Sequence, residues 1–453
     1  MSDTATVPSI DGLYAQYVNP NWVRLLNLLQ MNVQYDRCQG AELFTCDGRR
    51  ILDFLSGYCV HNTGHNHPAI VAALREELDR SGPGMLQSHV PELAAQLAER
   101  LIERAGGRLR RVFFCNSGSE GVEAAIKFAR AYTKRPGLLC AEHAFHGLTC
   151  GSLSLMSDSF WREGFGPLLP GVEAIPFGDP ARLEERLATQ KYAAFIVEPI
   201  QSEGGIRIPD PKYLPAAQAL CRRYGTLLVL DEVQTGLGRT GDFLAAHAFG
   251  IEPDMVVLAK ALSGGLVPIG ALLSTAAVSD AVFSSLGRSL VHATTFGENA
   301  LAMRAGLATL DVLEQESLAG RARTLGADLR RCLTEALAPY EMVHAVRGSG
   351  MLSGVEFRAP QSLRLRAAFE TFRQIHPAMF GQVLVMRLFR DKGMLTQICG
   401  NDFQVLKVAP PLVVSEGQIE EFVAAVREVV DLAHHSVGFW SEALGLARRA
   451  MNV

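Results

Sequence analysis

LLVLDEVQTGLGRTGDFLAAHAFGIEPDMVVLAKALSGG (227–265) is the stretch that decides the fold. It holds two short apolar runs, LLVL (227–230) and MVVLA (255–259), each bounded by turn residues. Runs of this length and composition read as strands buried on both faces, the signature of a parallel sheet covered by helices. The first run ends on Asp231 and the second on Lys260.

Outward from this pair the pattern repeats. VFFC (112–115), AFIV (194–197) and IGALL (269–273) read as further buried strands. Between strands lie segments of helical period, such as Val122, Ala125, Ile126, Ala129 and Tyr132 on one face. Strand–helix alternation predicts an α/β fold with a mostly parallel sheet between helices. We assign this large domain to residues 62–345. The ends differ in pattern. Residues 1–61 offer an apolar helix around WVRLLNLLQM (22–31), then a strand pair through AELFTCDGRRILDF (41–54). After VRGSGMLSGVEF (346–357) comes a mixed segment, then a helix from Glu416 with Ile419, Phe422, Val423, Val426, Val429 and Val430 on one face. The termini, 1–61 and 346–453, are expected to combine into one smaller α+β domain.

The chain has 453 residues, beyond the size of one ordinary core. Its hydrophobic fraction of 48% and charged fraction of 20% are those of a globular protein. A net charge of −4 gives no reason to expect nucleic acid as a partner. The nine cysteines are scattered, odd in number and without a CxxC pair, so they read as reduced thiols. The amino terminus, MSDTATVPSIDG, has no basic region followed by an apolar core, and no run is long enough to span a membrane. The expectation is a cytoplasmic protein.

A carboxylate at one strand tip and an amine at the next are what pyridoxal 5′-phosphate chemistry requires. Lys260 is the candidate Schiff-base lysine. Asp231 is the candidate acid that keeps the pyridine nitrogen protonated, so that the ring accepts electrons. FFCNSGSEGVEAAIKFAR (113–130) sets Ser117, Gly118 and Ser119 between a strand and a helix, where free N–H groups and the helix dipole favour a phosphate. A plain helix cap is the alternative for that turn taken alone. AFHGLT (144–149) puts Phe145 where a ring could stack on a flat cofactor, and Gln234 is in reach of a phenolic oxygen. Alone, the first would be core and the second a surface amide. Gly236, Gly238 and Gly241 spell GxGxxG, yet five residues separate the strand from the first glycine, so the nicotinamide reading is set aside. GHNHP (64–68) lacks the carboxylate or cysteine grouping of a metal site, and no metal is expected.

With these residues in place, the chain resembles the class III aminotransferases, the ornithine, putrescine and 4-aminobutyrate group of fold-type I pyridoxal phosphate enzymes. The resemblance runs from about residue 20 to 435. It rests on FLSGYCVHNTGHNHP (54–68), FIVEPIQSEGG (195–205), TTFGENALA (294–302), VAPPLV (408–413) and the blocks already quoted. It implies the roles given above for Lys260, Asp231, Gln234 and Ser117–Ser119, with Phe145 and Val233 sandwiching the ring. It also implies that Thr295 reaches the phosphate of the other subunit, which makes a homodimer the minimal unit and leaves a dimer of dimers open. Tyr58 and Glu203 fall at substrate-pocket positions of the family.

Two departures bear on substrate. Ornithine and acetylornithine members usually carry an arginine after FHG, where this chain has Leu148. A second family arginine, which receives a carboxylate, is here Lys407, without the planar fork. The expected reaction therefore moves an amino group between a keto acid such as 2-oxoglutarate and a primary amine, or its aldehyde, that lacks a distal carboxylate. Putrescine and larger apolar or lipid aldehydes fit that description. The alternatives are an ornithine or acetylornithine aminotransferase and, in another class, an aminomutase or decarboxylase. The long apolar segment 363–401 has two readings, an elaborated helix pair of the small domain or a wall for a bulky substrate.

Overall fold

The computed structural model describes residues 9–436, 438–442 and 444–445. Residues 1–8, part of the stretch read above for a targeting signal, lie outside them.

One seven-stranded sheet organises the large domain. Its spatial order is Arg111–Cys115, Gly270–Ser274, Met255–Leu258, Leu227–Asp231, Tyr192–Val197, Gly137–Ala141, Val172–Ile175. All pairs are parallel except those of Gly270–Ser274, which runs antiparallel to both neighbours. Successive side chains of a strand face opposite sides, and the packing follows. Phe195, Val197, Leu228 and Leu230 enter one core, while Ala194, Ile196 and Val229 enter the other. Gly118–Thr133 covers the second face with Val122, Ala125, Ile126 and Ala129 buried. Tyr132, expected on that face, is exposed, one residue before the helix end.

The smaller α+β domain is built from both termini. Tyr35–Gln39, Glu42–Thr45 and Arg50–Asp53 form an antiparallel sheet joined in parallel by Met394–Leu395. A second sheet orders Val343–Ser349, Leu352–Phe357, Val405–Val408 and Gln397–Ile398. Phe54 and Phe422 stack with ring centroids 3.8 Å apart, bringing the two ends of the chain together. Glu416–His435 starts with a capping box of Ser415 and Gln418 and buries all six apolar residues read as its face.

Three features differ from the sequence reading. The boundary at 345 falls inside the Val343–Ser349 strand. Helix Leu318–Leu337 joins the core of the small domain, because helical period shows that a face is apolar but not which core it meets. The amino-terminal helix forms over Pro20–Leu28, capped by Asn19, yet buries no residue within this chain.

Candidate active site

Both chemical residues sit where strands end. Asp231 closes its strand, and its Oδ1 accepts the Val233 N–H at 3.1 Å. Its Oδ2 lies 2.8 Å from His146 Nδ1, both side chains buried. Burial alone would lower the His146 pKa, but the hydrogen bond and charge of Asp231 override it and raise it. Lys260 opens a short 3-10 turn, Lys260–Ser263, with φ +48°, a left-handed conformation rarely taken by a side-chain-bearing residue. It lines a cavity, and burial holds its pKa below the ordinary lysine value, against the raising influence of Cys59 and Glu203.

That cavity, of about 570 Å³, gathers Ser117–Ser119, Phe145, Asp231, Val233, Gln234 and Lys260. Ser117 caps the Gly118–Thr133 helix through its Oγ and the Glu120 N–H, which turns the next N–H groups toward the space. A methyl on Gly118 would lie 3.0 Å from Val233, so the phosphate turn and the Val233 side chain are packed together. Gly147 has φ +120°, and a methyl there would lie 2.2 Å from Ser119 Oγ, so only glycine fits. Gln234 donates Nε2 to Glu203 Oε1 at 3.2 Å, while its own Oε1 is buried without a partner.

Pyridoxal phosphate fits this arrangement on physical grounds. The cavity sets an apolar Val233 and a Phe145 ring, an acid, an amine without an ion-pair partner among the described residues, and a helix amino terminus around one space. The orphaned Gln234 Oε1 and His146 Nε2 mark it as built for a polar guest.

The substrate-side residues come from distant segments. Lys407 and Glu203 form a buried ion pair, and Glu203 Oε2 also accepts the Gly400 N–H at 2.9 Å. Burial would raise the Glu203 carboxyl, but Lys407 and that N–H bring it below the usual value. Burial would lower Lys407, and Glu203 reverses that, raising it well above an ordinary lysine. Tyr58 presents its ring 5.2 Å from Lys407 Nζ. It stands in a left-handed turn, Ser56–Cys59, with φ between +46° and +69° at all four residues. Such a turn costs about 1–2 kcal/mol per non-glycine residue. Asp53 accepts the Leu55 and Ser56 N–H groups, and the buried Arg239 donates to Ser56 Oγ, which hold it. Arg239 sits inside the Gly236–Gly241 loop and ties it to Asn62 and to the Met351 and Pro410 carbonyls.

Of the expected residues, Glu203, Lys407 and Tyr58 do not line the cavity but connect to it in series through Gln234, and two more, Leu148 and Thr295, lie apart from it in their own chain. Leu148 is 55% exposed. Thr295 is exposed, although its neighbour Thr294 accepts from Asn116 beside the phosphate turn at 2.8 Å. His65 and His67 each meet one carboxylate, Asp53 at 2.7 Å and Glu316 at 2.8 Å. The segment 363–401 folds into helices Leu363–Ile375 and Met379–Lys392, whose Phe369, Phe372, Phe380, Leu384 and Leu388 enter the small-domain core. Its helices are core, and only its tail, at Gly400 and Asn401, reaches Glu203.

Sequence reasoning passed over His146 and Glu198. Glu198 follows the AFIV strand directly, the same acid-at-strand-tip signal that singled out Asp231. It lines the cavity and accepts the Phe145 and Ser202 N–H groups at 3.0 and 3.1 Å. Burial pushes its carboxyl up to about 7, with His146 opposing and Asp231 adding.

Comparison with known proteins agrees with this geometry. The family model described as aminotransferase class-III matches residues 27–430. The chain is 38% identical over 449 residues to the aminotransferase PigE of a Serratia species, covering 92% of this chain and 53% of that protein, so it spans about half of that relative. It is 40% identical over 396 residues to acetylornithine aminotransferase of Mycolicibacterium smegmatis, covering 87% of this chain and 93% of that one. The solved ornithine aminotransferase of Toxoplasma gondii superposes with a TM-score of 0.81 at 31% identity, over 94% of this chain and 95% of its own. A PLP-bound amine transaminase from an uncultivated Pseudomonas species gives 0.77 at 29%, over 88% and 95%.

Proposed function

Since the chain belongs to the class III aminotransferase family, a family of pyridoxal phosphate enzymes, we propose that it transfers an amino group between a keto acid such as 2-oxoglutarate and a primary amine, or its aldehyde, without a distal carboxylate. The observation that carries this reading is the charge of the site. No arginine lines the cavity among the described residues, and the nearby Lys407 is held by Glu203. A carboxylate buried there without a partner would be costly, whereas an apolar chain meets no such penalty. Glutamate is admitted as the second partner when Lys407 leaves Glu203 for its carboxylate.

The cofactor, when bound, supplies an electron sink for the negative charge that develops at the substrate carbon. The Lys260 amine, its pKa depressed by burial, would take the proton from that carbon. Asp231, positioned at Oδ2 by His146, would face the ring nitrogen. Phe145 and Val233 would hold the ring between them, and the Ser117–Ser119 turn would hold the phosphate. We further propose that residues 62–345 correspond broadly to the cofactor domain and that the unit is a homodimer. Exposed Leu286, Leu290 and Phe296 flank Thr295 and call for cover that a second copy would supply. Light scattering at assay concentration checks that.

Steady-state comparison of putrescine, a long-chain amine, ornithine, acetylornithine and 4-aminobutyrate tests the substrate reading. We expect kcat/KM to favour donors without a distal carboxylate. A clear preference for acetylornithine or 4-aminobutyrate would overturn it.

A further inference from the structure

Three aromatic rings lead from the surface to the cavity. Phe160 is 67% exposed, its ring centroid 4.9 Å from that of Trp161 and nearly perpendicular to it. The Trp161 ring meets Phe145 edge-on at 5.3 Å, and Phe145 lines the cavity. One side chain fixes the middle ring. Trp161 Nε1 donates to Asn401 Oδ1 at 2.6 Å. Asn401 in turn donates Nδ2 to the His143 and Ala144 carbonyls at 3.0 and 3.1 Å, and its backbone N–H to the Glu203 carbonyl at 2.9 Å. Asn401 thus joins the hairpin beyond Gln397–Ile398 to three places: the segment that carries Phe145 through Nδ2, Trp161 through Oδ1 and Glu203 through its backbone N–H.

Gly400 shows what lies between. A methyl built on it would sit 3.1 Å from Glu203 Oε2 and 3.3 Å from Trp161 Cζ2. Its φ is not in the left-handed region, so backbone conformation does not demand glycine. The missing side chain lets the backbone pack directly between the indole and the Glu203 carboxylate, with less than a methyl's room to spare. An apolar wall beside a neutralised charge pair accepts a hydrocarbon chain and gives a free carboxylate no cation.

We propose that Trp161, positioned by Asn401, is the specificity-determining wall of an outer subsite beyond Phe145 that takes the apolar chain of the amine or aldehyde. This rests on the substrate reading above and adds which residues read the chain. A methylene moved from water onto that wall raises kcat/KM by about fourfold.

The test measures kcat/KM of the holoenzyme for straight-chain primary amines of increasing length, with cofactor absorbance recorded for every variant. Wild type is expected to gain with each methylene. Trp161→Ala should flatten that gain, so that its loss against wild type grows with chain length, while the absorbance reports whether cofactor is still held. A Trp161→Ala enzyme with the wild-type slope overturns the proposal. Should that variant fail to fold, Trp161→Leu, a smaller apolar side chain, must still lower the gain per methylene; an unchanged gain overturns the subsite. Asn401→Ala should lower the slope in wild type and less in Trp161→Phe, which has no indole N–H; equal effects in both backgrounds overturn the positioning role. If wild type prefers carboxylate donors, the substrate reading fails separately. The wall is then judged on the donor actually used, where a raised KM at unaltered kcat in Trp161→Ala supports it and an unchanged KM overturns it.

Discussion

The two sides of the site are built in opposite ways. On the cofactor side, Asp231 and Lys260 follow adjacent strands of one sheet, and Ser117 follows another strand of the same sheet. Backbone hydrogen bonds and two packed faces hold those tips, so the geometry is inherited from the sheet. On the substrate side, Tyr58, Trp161, Glu203, Asn401 and Lys407 come from four segments, joined by side-chain bonds and one buried ion pair. A sheet tolerates the loss of one side chain without moving its neighbours. A web of side chains does not. Substitutions on the cofactor side should therefore remove chemistry and spare the fold, whereas those on the substrate side should disturb stability and selectivity together.

The sharpest contrast is at Lys260 and Asp231. Lys260→Ala should abolish turnover with the melting temperature of the apoenzyme little changed, since positioned acid–base catalysis alone is worth about 10²–10⁴ in rate. Asp231→Ala removes the acid set to face the ring nitrogen, and losing one preorganised electrostatic group of this kind slows the chemical step by about 10²–10³; it also leaves His146 buried without its carboxylate, so here some stability should be lost as well. An Asp231→Ala enzyme within tenfold of wild type, or a Lys260→Ala enzyme that still turns over, would break the assignment of chemistry to the strand tips.

Lys407→Met tests the other side. It strands Glu203 in a buried position, so stability at neutral pH should fall by about 3–5 kcal/mol, with Glu203→Gln in the same chain recovering much of it. Activity with glutamate should fall by about 10- to 100-fold, the worth of a charged hydrogen bond. The pH dependence follows from the signs. The wild-type Glu203 carboxyl is depressed, so its contribution is present above the ordinary value of 4.5 and lost as pH falls through the folded value. The Lys407 amine is raised, so its contribution is present below 10.5 and lost as pH rises through the folded value. Without Lys407, burial, the largest influence on Glu203, is opposed only by the Gly400 N–H and Lys260, so the carboxyl rises and the variant recovers on acidification. The melting-temperature gap between the two proteins should narrow as pH falls toward and below 4.5. A constant gap would show that the pair carries no such linkage.

The same contrast explains what could be read in advance. Strand tips are legible because the apolar run and the catalytic residue are contiguous: LLVL then Asp231, MVVLA then Lys260. Glu198 was equally legible by that rule and was overlooked. Trp161 and Asn401 carried no local sign, since their relation is a contact between residues far apart in the chain, and a lone tryptophan in the one-turn helix Ser159–Arg162 looks like any other. The packing of Leu318–Leu337 was hidden for a related reason, because periodicity gives a face but not its partner.

The smallest functional effect is expected in the segment with two readings. Phe369 is 1% exposed and packs on Phe380 with centroids 4.8 Å apart, inside the small-domain core. Phe369→Ala should cost about 3–5 kcal/mol of stability through lost burial and the cavity left behind. It should not alter the dependence of kcat/KM on amine length at temperatures where the variant is folded. The comparison with Trp161→Ala is the point: both remove a large ring, one from a core and one from a subsite. A Phe369→Ala enzyme that melts lower and keeps its chain-length profile places the helices of 363–392 in the scaffold. A flattened profile would mean that the substrate side extends through the small-domain helices, and that the wall is broader than the indole of Trp161.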